Sequence, residues 1–206
     1  MLVFIVRRIG TMILTMLVVS ILLFLTLEFN SENVAVKVLG PYSSQESREI
    51  WLEEHGYNDP LPVRYGRWLG NFIVGDFGES IRFKTDVADV LLPRLKNTGI
   101  LAAVVLAIVT VLGLAFGILA GMNEGSGLDR FISIFAIITT SIPEFASAVL
   151  MSAVFVFWLD LLPGTSGMTD GFDPVQLVLP VLVLVLYDFG YVARMTRASM
   201  AEVMMT

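Results

Sequence analysis

The chain has 206 residues, 56% of them hydrophobic and 16% charged, with a net charge of −6, one histidine and no cysteine. Its mean hydropathy of +0.80 sets it apart from soluble chains, in which about 45–50% of residues are apolar and about 25% charged, so lipid is the solvent for much of the sequence. The missing cysteines exclude a disulfide framework, a thiolate metal site and a cysteine nucleophile; the lone His55 lies in a polar stretch and offers too few ligands for a histidine metal site; and the acidic balance argues against nucleic acid, which requires clustered Lys and Arg.

The first apolar run, Ile9–Leu27, follows Arg7 and Arg8. Its 19 uncharged residues exceed the roughly 7–15 of a signal-peptide core, and no small-residue cleavage site follows, so a retained membrane span is expected. The segment 29–97 is long and patterned enough to fold outside the membrane. Ser43, Gln45 and Glu46 read as a capping box, Gly56 as a helix stop in the left-handed region, and Pro60–Leu61–Pro62 as an extended turn. Tyr65, Trp68, Leu69 and Phe72 then fall at i, i+3, i+4 and i+7, one apolar face of a helix, placed either at the lipid–water boundary or against the spans. Gly75–Asp76–Phe77–Gly78 is a tight turn.

Between Lys96 and Glu124 no residue is charged for 27 positions, which predicts a second span over Thr98–Met122. Gly113 and Gly117 within it have the spacing that lets a neighbouring helix approach closely. A third apolar block, Phe131–Leu159, contains Ser141–Ile142–Pro143–Glu144, where the proline should kink or break the helix near Thr140. A fourth span covers about Val175–Val192, with Pro180 near its start and Asp188 near its end. Arg7, Arg8, Arg130, Arg194 and Arg197 fall on one side of this arrangement. The opposite short loop, 161–176, holds Asp170 and Asp173 and no basic residue, so the arginine side and both termini are expected in the cytoplasm.

Several short motifs occur in one order along the chain. After Arg7–Arg8 and the first span come His55–Gly56–Tyr57–Asn58–Asp59–Pro60–Leu61–Pro62–Val63, Tyr65–Gly66–Arg67–Trp68–Leu69 and Gly75–Asp76–Phe77–Gly78–Glu79–Ser80. Leu128–Asp129–Arg130, Ser141–Ile142–Pro143–Glu144–Phe145, Leu179–Pro180 and the run from Ala193 to Met200 follow. In these the chain resembles the permease subunits of bacterial ABC importers for dipeptides, oligopeptides and related solutes. Two departures stand out. The loop Met122–Leu128 lacks the basic residues usual in such proteins, and Thr206 falls just short of the family's coupling loop and last two spans, so the chain resembles the first two thirds of a permease.

The resemblance implies an all-α, polytopic helical bundle of the type I ABC importer permease kind, with a partly helical extracytoplasmic segment after the first span. Residues 1–28 would form the N-terminus and first span, 29–97 the external segment, and 98–206 the transmembrane core. It further implies a bacterial cytoplasmic (inner) membrane location, a second permease subunit, two ATP-binding subunits and an extracytoplasmic solute-binding protein. The sequence has no phosphate-cradling Gly-x-x-x-x-Gly-Lys-Ser/Thr loop, so ATP and Mg would be bound by the partners and the chain itself would be neither an enzyme nor a cofactor carrier.

Pro143, Glu144 and Asp188 are the candidates for the translocation pathway, since acidic residues at membrane depth usually face a bundle interior or a water-filled cavity. Glu144 either meets a peptide's ammonium end or bonds backbone groups freed by Pro143; Asp188 either lines the pathway or pairs with Arg194. Arg194, Arg197 and Glu202 either touch an ATPase subunit or anchor headgroups and complement the helix dipole. The rival function is an ion-gradient-driven secondary transporter or channel, for which more intramembrane charges and an internal repeat would be expected.

Overall fold

The computed structural model describes residues 1–28, 31–168 and 171–204. Eight α-helices are described: α1 Leu2–Glu28, α2 Ser31–Leu39, α3 Gln45–Glu54, α4 Leu61–Ile73, α5 Val87–Met122, α6 Gly127–Ser141, α7 Glu144–Ser152 and α8 Val175–Met204. A π-helical stretch, Ala153–Trp158, continues α7. Among the described residues there is no strand, only an isolated antiparallel bridge between Glu79 and Asp86. The chain divides into two compact units, Met1–Leu91 and Leu92–Thr206. Asp170 and the two boundary positions Phe29 and Thr206 lie outside the described residues.

In the first unit, α1 starts at Leu2, so Arg7 and Arg8 are already helical. Of the apolar face read at Tyr65, Trp68, Leu69 and Phe72, the Tyr65 and Trp68 rings pack on α1, while Phe72 meets Trp68 and Phe77. Phe24 lies 5.4 Å from the Tyr65 ring and 5.8 Å from that of Trp68, and the hydroxyls of Tyr65 and Ser20 are 2.8 Å apart. The capping expectation shifts by one residue. Ser44, not Ser43, caps α3, accepting the Ser47 N–H at 3.2 Å, while Ser43 donates to the Gly40 carbonyl and accepts from Arg48 Nε. Pro60 is extended, as expected, but Leu61 and Pro62 already belong to α4. Proline suits a first turn because its missing N–H would have had no partner there. Gly56 does end α3 at φ +69°, and Gly75 and Gly78 are at φ +89° and +71°.

The second unit is assembled around α8. The α5 helix starts at Val87 rather than near Thr98, because Val90, Leu91, Leu92 and Leu95 carry the helical pattern back through Pro93. At 36 residues it is about 54 Å long, so part of it extends beyond a ~30 Å hydrocarbon slab. Gly113, Gly117 and Gly121 form its contact with α8. A methyl group added at these positions would lie 2.6 Å from Val192 Cγ1, 2.5 Å from Thr196 Cβ and 2.6 Å from Met200 Cβ respectively. On the other side of α8, a methyl at Gly190 would lie 2.6 Å from the Ala136 carbonyl oxygen of α6. Nearer the start of α8, Val105 and Val109 pack with Leu177, Val181 and Val185 in a buried apolar cluster.

The third apolar block breaks as the proline requires, though two residues later than Thr140. Ile142 and Pro143 are extended, with ψ 123° and 139°, and the helices on either side meet at 90°. Ahead of this break the hydroxyls of α6 bond back onto their own helix: Thr139 and Thr140 donate to the Ala136 carbonyl and Ser141 to that of Ile137, a contact of the kind that bends helices. α1, α5 and α8 are each long and apolar enough to cross a membrane, and the bent pair brings the total to four if it counts as one span.

The glycine contacts set a direct test. Gly117→Val should cost the second unit about 1–3 kcal/mol through overpacking against Thr196, read as a lower unfolding midpoint in detergent. Gly99→Ala, where an added methyl meets nothing within 4 Å, should leave the midpoint unchanged or raise it.

Candidate functional site

The bend at Pro143 opens a groove of about 490 Å³ between α7, the loop 163–166 and the first turns of α8. Glu144, the first residue of α7, lies on its wall with Ser152, Thr165, Ser166 and Gln176, and faces Pro180, Val183 and Leu184 of α8. Its carboxylate stands at a helix N-terminus, where the backbone dipole favours negative charge. The N–H groups of Ala146 and Ser147 bond the Pro143 carbonyl, so the Glu144 side chain is not spent on them. Among the described residues Glu144 makes no hydrogen bond or ion pair with the protein and is exposed to the groove. Pro143 shapes this site by its missing donor. Gln176 is fixed, donating to Asp173 and accepting the Met168 N–H at 3.0 Å.

Asp188 is not part of that groove. It is half-buried on α8, one turn beyond Leu184, and among the described residues it has no hydrogen-bond or ion-pair partner. The expected pairing with Arg194 does not form: Arg194 is exposed and donates from Nε to the Gly190 carbonyl at 3.2 Å. Glu202 is exposed two turns further on.

Arg197 is held differently from its neighbours. Its guanidinium forms a two-pronged ion pair with Asp129 of α6, with Nη2 at 2.7 Å from Oδ2, and lies 3.7 Å from Glu124 in the turn before α6. Asp129 also accepts from the Gly125 N–H at 2.9 Å and from the Ser133 hydroxyl at 3.3 Å, and is 2% exposed. Both groups lie beyond the apolar runs starting at Phe131 and ending at Val192. The Arg197 guanidinium, helped by the Gly125 and Ser133 donors against the cost of burial, holds the Asp129 carboxyl well below the usual carboxylate range, and Asp129 in turn raises Arg197. Because the folded carboxyl is depressed, the pair's contribution is fully present above the ordinary carboxylate pKa and disappears only in acid.

Sequence reasoning quoted Asp129 only as part of a motif and missed this contact. A signal was present: Ser126 and Asp129 have capping-box spacing, and the Asp129 N–H does bond the Ser126 hydroxyl at 3.1 Å.

A second buried ion pair closes the first unit. Arg64 of α4 binds Glu28 at the end of α1 and lies over the Tyr57 ring, 4.4 Å from its centroid. Burial, then the Glu28 carboxylate, push the Tyr57 hydroxyl up from its ordinary pKa.

The natural lack of cysteine makes the groove easy to probe. Glu144→Cys should react with a membrane-impermeant thiol reagent, whereas Ile132→Cys, at a position 4% exposed on α6, should stay unlabelled until the protein is denatured.

Residues 1–102 match the N-terminal part of the binding-protein-dependent transport system membrane component family, and residues 113–205 match the binding-protein-dependent transport system inner membrane component family. The chain is 31% identical over 206 residues to a probable peptide ABC transporter permease protein of Sinorhizobium fredii, an alignment covering 98% of this chain and 66% of that protein. It is 32% identical to an oligopeptide transport system permease protein of Bacillus subtilis, with coverage of 98% and 66%, and 32% identical to a metal-staphylopine import system permease protein of Staphylococcus aureus, with coverage of 97% and 64%. The chain thus spans slightly under two thirds of the length of the curated relatives it matches. With its apolar helices it is a multi-pass membrane protein, and it belongs to the family of binding-protein-dependent transport system inner membrane components.

Proposed function

We propose that this chain is the membrane-spanning subunit of an ATP-driven importer, which with a second permease forms the pathway for peptides or similar small solutes delivered by a binding protein. The observation that carries this reading is the pair of family matches, in series over nearly the whole chain, with relatives named as peptide transport permeases. The arginine distribution supports an N-terminus in the cytoplasm of a bacterial inner membrane. ATP and Mg would be held by two partner subunits, since the chain carries no phosphate-cradling loop.

Within the chain, the groove at the Pro143 break is the best candidate for contact with solute. An unpartnered carboxylate among hydroxyl and amide groups suits the ammonium end of a peptide, and the apolar wall of Pro180, Val183 and Leu184 suits a side chain. Arg194 and Glu202, exposed at the end of α8, are candidates for contact with an ATPase subunit; Arg197 is largely engaged inside the protein. The ion-gradient alternative draws little support from Glu144 and Asp188, because the groove that holds one does not include the other.

The tagged protein, extracted from its native membrane in mild detergent, should bring with it a second permease and two ATP-binding subunits whose hydrolysis rises with a peptide-loaded binding protein. A chain that purifies alone contradicts the proposal. In the active complex, Glu144→Gln should lower uptake of a peptide with a free amino terminus about tenfold, the value of about one charge-assisted hydrogen bond. The N-acetylated form of the same peptide should be little affected.

A further inference from the structure

Only Arg64 and Asp129 are both charged and buried among the described residues, and Asp129 is the more deeply buried, at 2% exposure. A buried ion pair adds little net stability compared with an apolar pair of the same shape, but it strands a buried charge if the partners separate, so its main effect is on register. Register matters in this unit because the contact between α5 and α8 is repetitive. Gly113, Gly117 and Gly121 meet Val192, Thr196 and Met200, a four-residue spacing on both helices, so a slip of one turn would bring small residues opposite side chains again. Arg197 penalises that slip. The residues four positions to either side, Ala193 and Ala201, carry no charge, so a slip by the four-residue repeat of the glycine contacts would draw the guanidinium away from Asp129 and put an alanine in its place. Glu124, 3.7 Å from the same guanidinium, extends this control to the turn joining α5 to α6.

We propose that Asp129, acting through Arg197, is a positioning residue for transport, keeping the end of α8 in register with α6. A displacement at exposed Arg194 and Glu202 is then passed along α6 to the Pro143 break and the Glu144 carboxylate. This inference rests on the importer reading. The link is mechanical: α6 is a single helix from Gly127 to Ser141, tied to α8 at one end by the ion pair and near the other by the close approach of Gly190 to Ala136, and the groove starts three residues beyond it, at Glu144.

The test uses the assembled complex in liposomes with its binding protein and a peptide, comparing basal with binding-protein-stimulated ATP hydrolysis. Asp129→Asn should leave basal hydrolysis within about twofold of wild type while reducing the stimulated increment at least about tenfold. In a double-mutant cycle, Asp129→Asn with Arg197→Gln should lose no more of that increment than the worse single variant, because both remove one interaction. Asp129→Glu, which keeps the charge but moves it by one methylene, should retain an intermediate increment and covers the case in which Asp129→Asn does not assemble. Wild-type stimulation in Asp129→Asn, strictly additive losses in the cycle, or a full increment in Asp129→Glu beside an unassembled Asp129→Asn would overturn the proposal while leaving the importer reading intact. If the wild-type complex shows no stimulated hydrolysis at all, the importer reading itself fails, and this inference with it.

Discussion

The close approach of α8 to α5 on one side and to α6 on the other is the constraint on which the second unit depends. Helices in lipid gain nothing from hiding apolar surface, because the surrounding tails are equally apolar, so they associate where small residues let backbones come close enough for dense van der Waals contact. Gly113, Gly117 and Gly121 give α5 such a surface, and Gly190 gives α8 one towards α6. The glycines set how near the helices lie, and the Asp129–Arg197 pair sets how far along each other they lie. Neither does the other's work. Apolar packing of this repetitive kind has weak register, and an ion pair has weak net stability.

A further polar feature of the unit lies where the helical ladder is interrupted. Pro143 withholds a donor and the chain turns through 90°, while the hydroxyls of Thr139, Thr140 and Ser141 bond back to the Ala136 and Ile137 carbonyls within α6. An irregular backbone at membrane depth is tolerated only where it is buried in protein or lines an aqueous cavity. The groove that starts at Glu144 lies at such a break, and the π-helical stretch that continues α7 is another local departure from regular backbone, of a sort often found at functional sites. The groove thus follows from the same proline that breaks the span.

Much of this was legible in the residues. Apolar runs free of charge over 19 and 27 positions leave little choice but spans, and a proline within a third run forces a break. The face of Tyr65, Trp68 and Phe72 was legible from its period alone. Helix ends were less so: α5 starts at Val87 because the pattern of Val90, Leu91 and Leu95 continues through Pro93, although a proline in the second turn removes one helical hydrogen bond. Ser43 is engaged with the Gly40 carbonyl and Arg48, contacts that two adjacent serines in a sequence do not reveal, and Ser44 is left to cap the helix. Asp129 was the least legible of the important residues, because its partner lies 68 positions away and its identity depends on which face of α8 meets α6. Tertiary pairing of this kind has no local periodicity.

The family membership, the broken third span and the unpartnered Glu144 are the observations on which the proposed importer role rests. The proposed energy source is ATP hydrolysed by partners rather than an ion gradient carried by intramembrane acids. Peptide uptake by the reconstituted complex tests this most directly, measured once with ATP inside the vesicles and no ion gradient, and once with proton and sodium gradients and no ATP. The account predicts uptake in the first condition and none in the second. Uptake that follows the gradients and ignores ATP would contradict it.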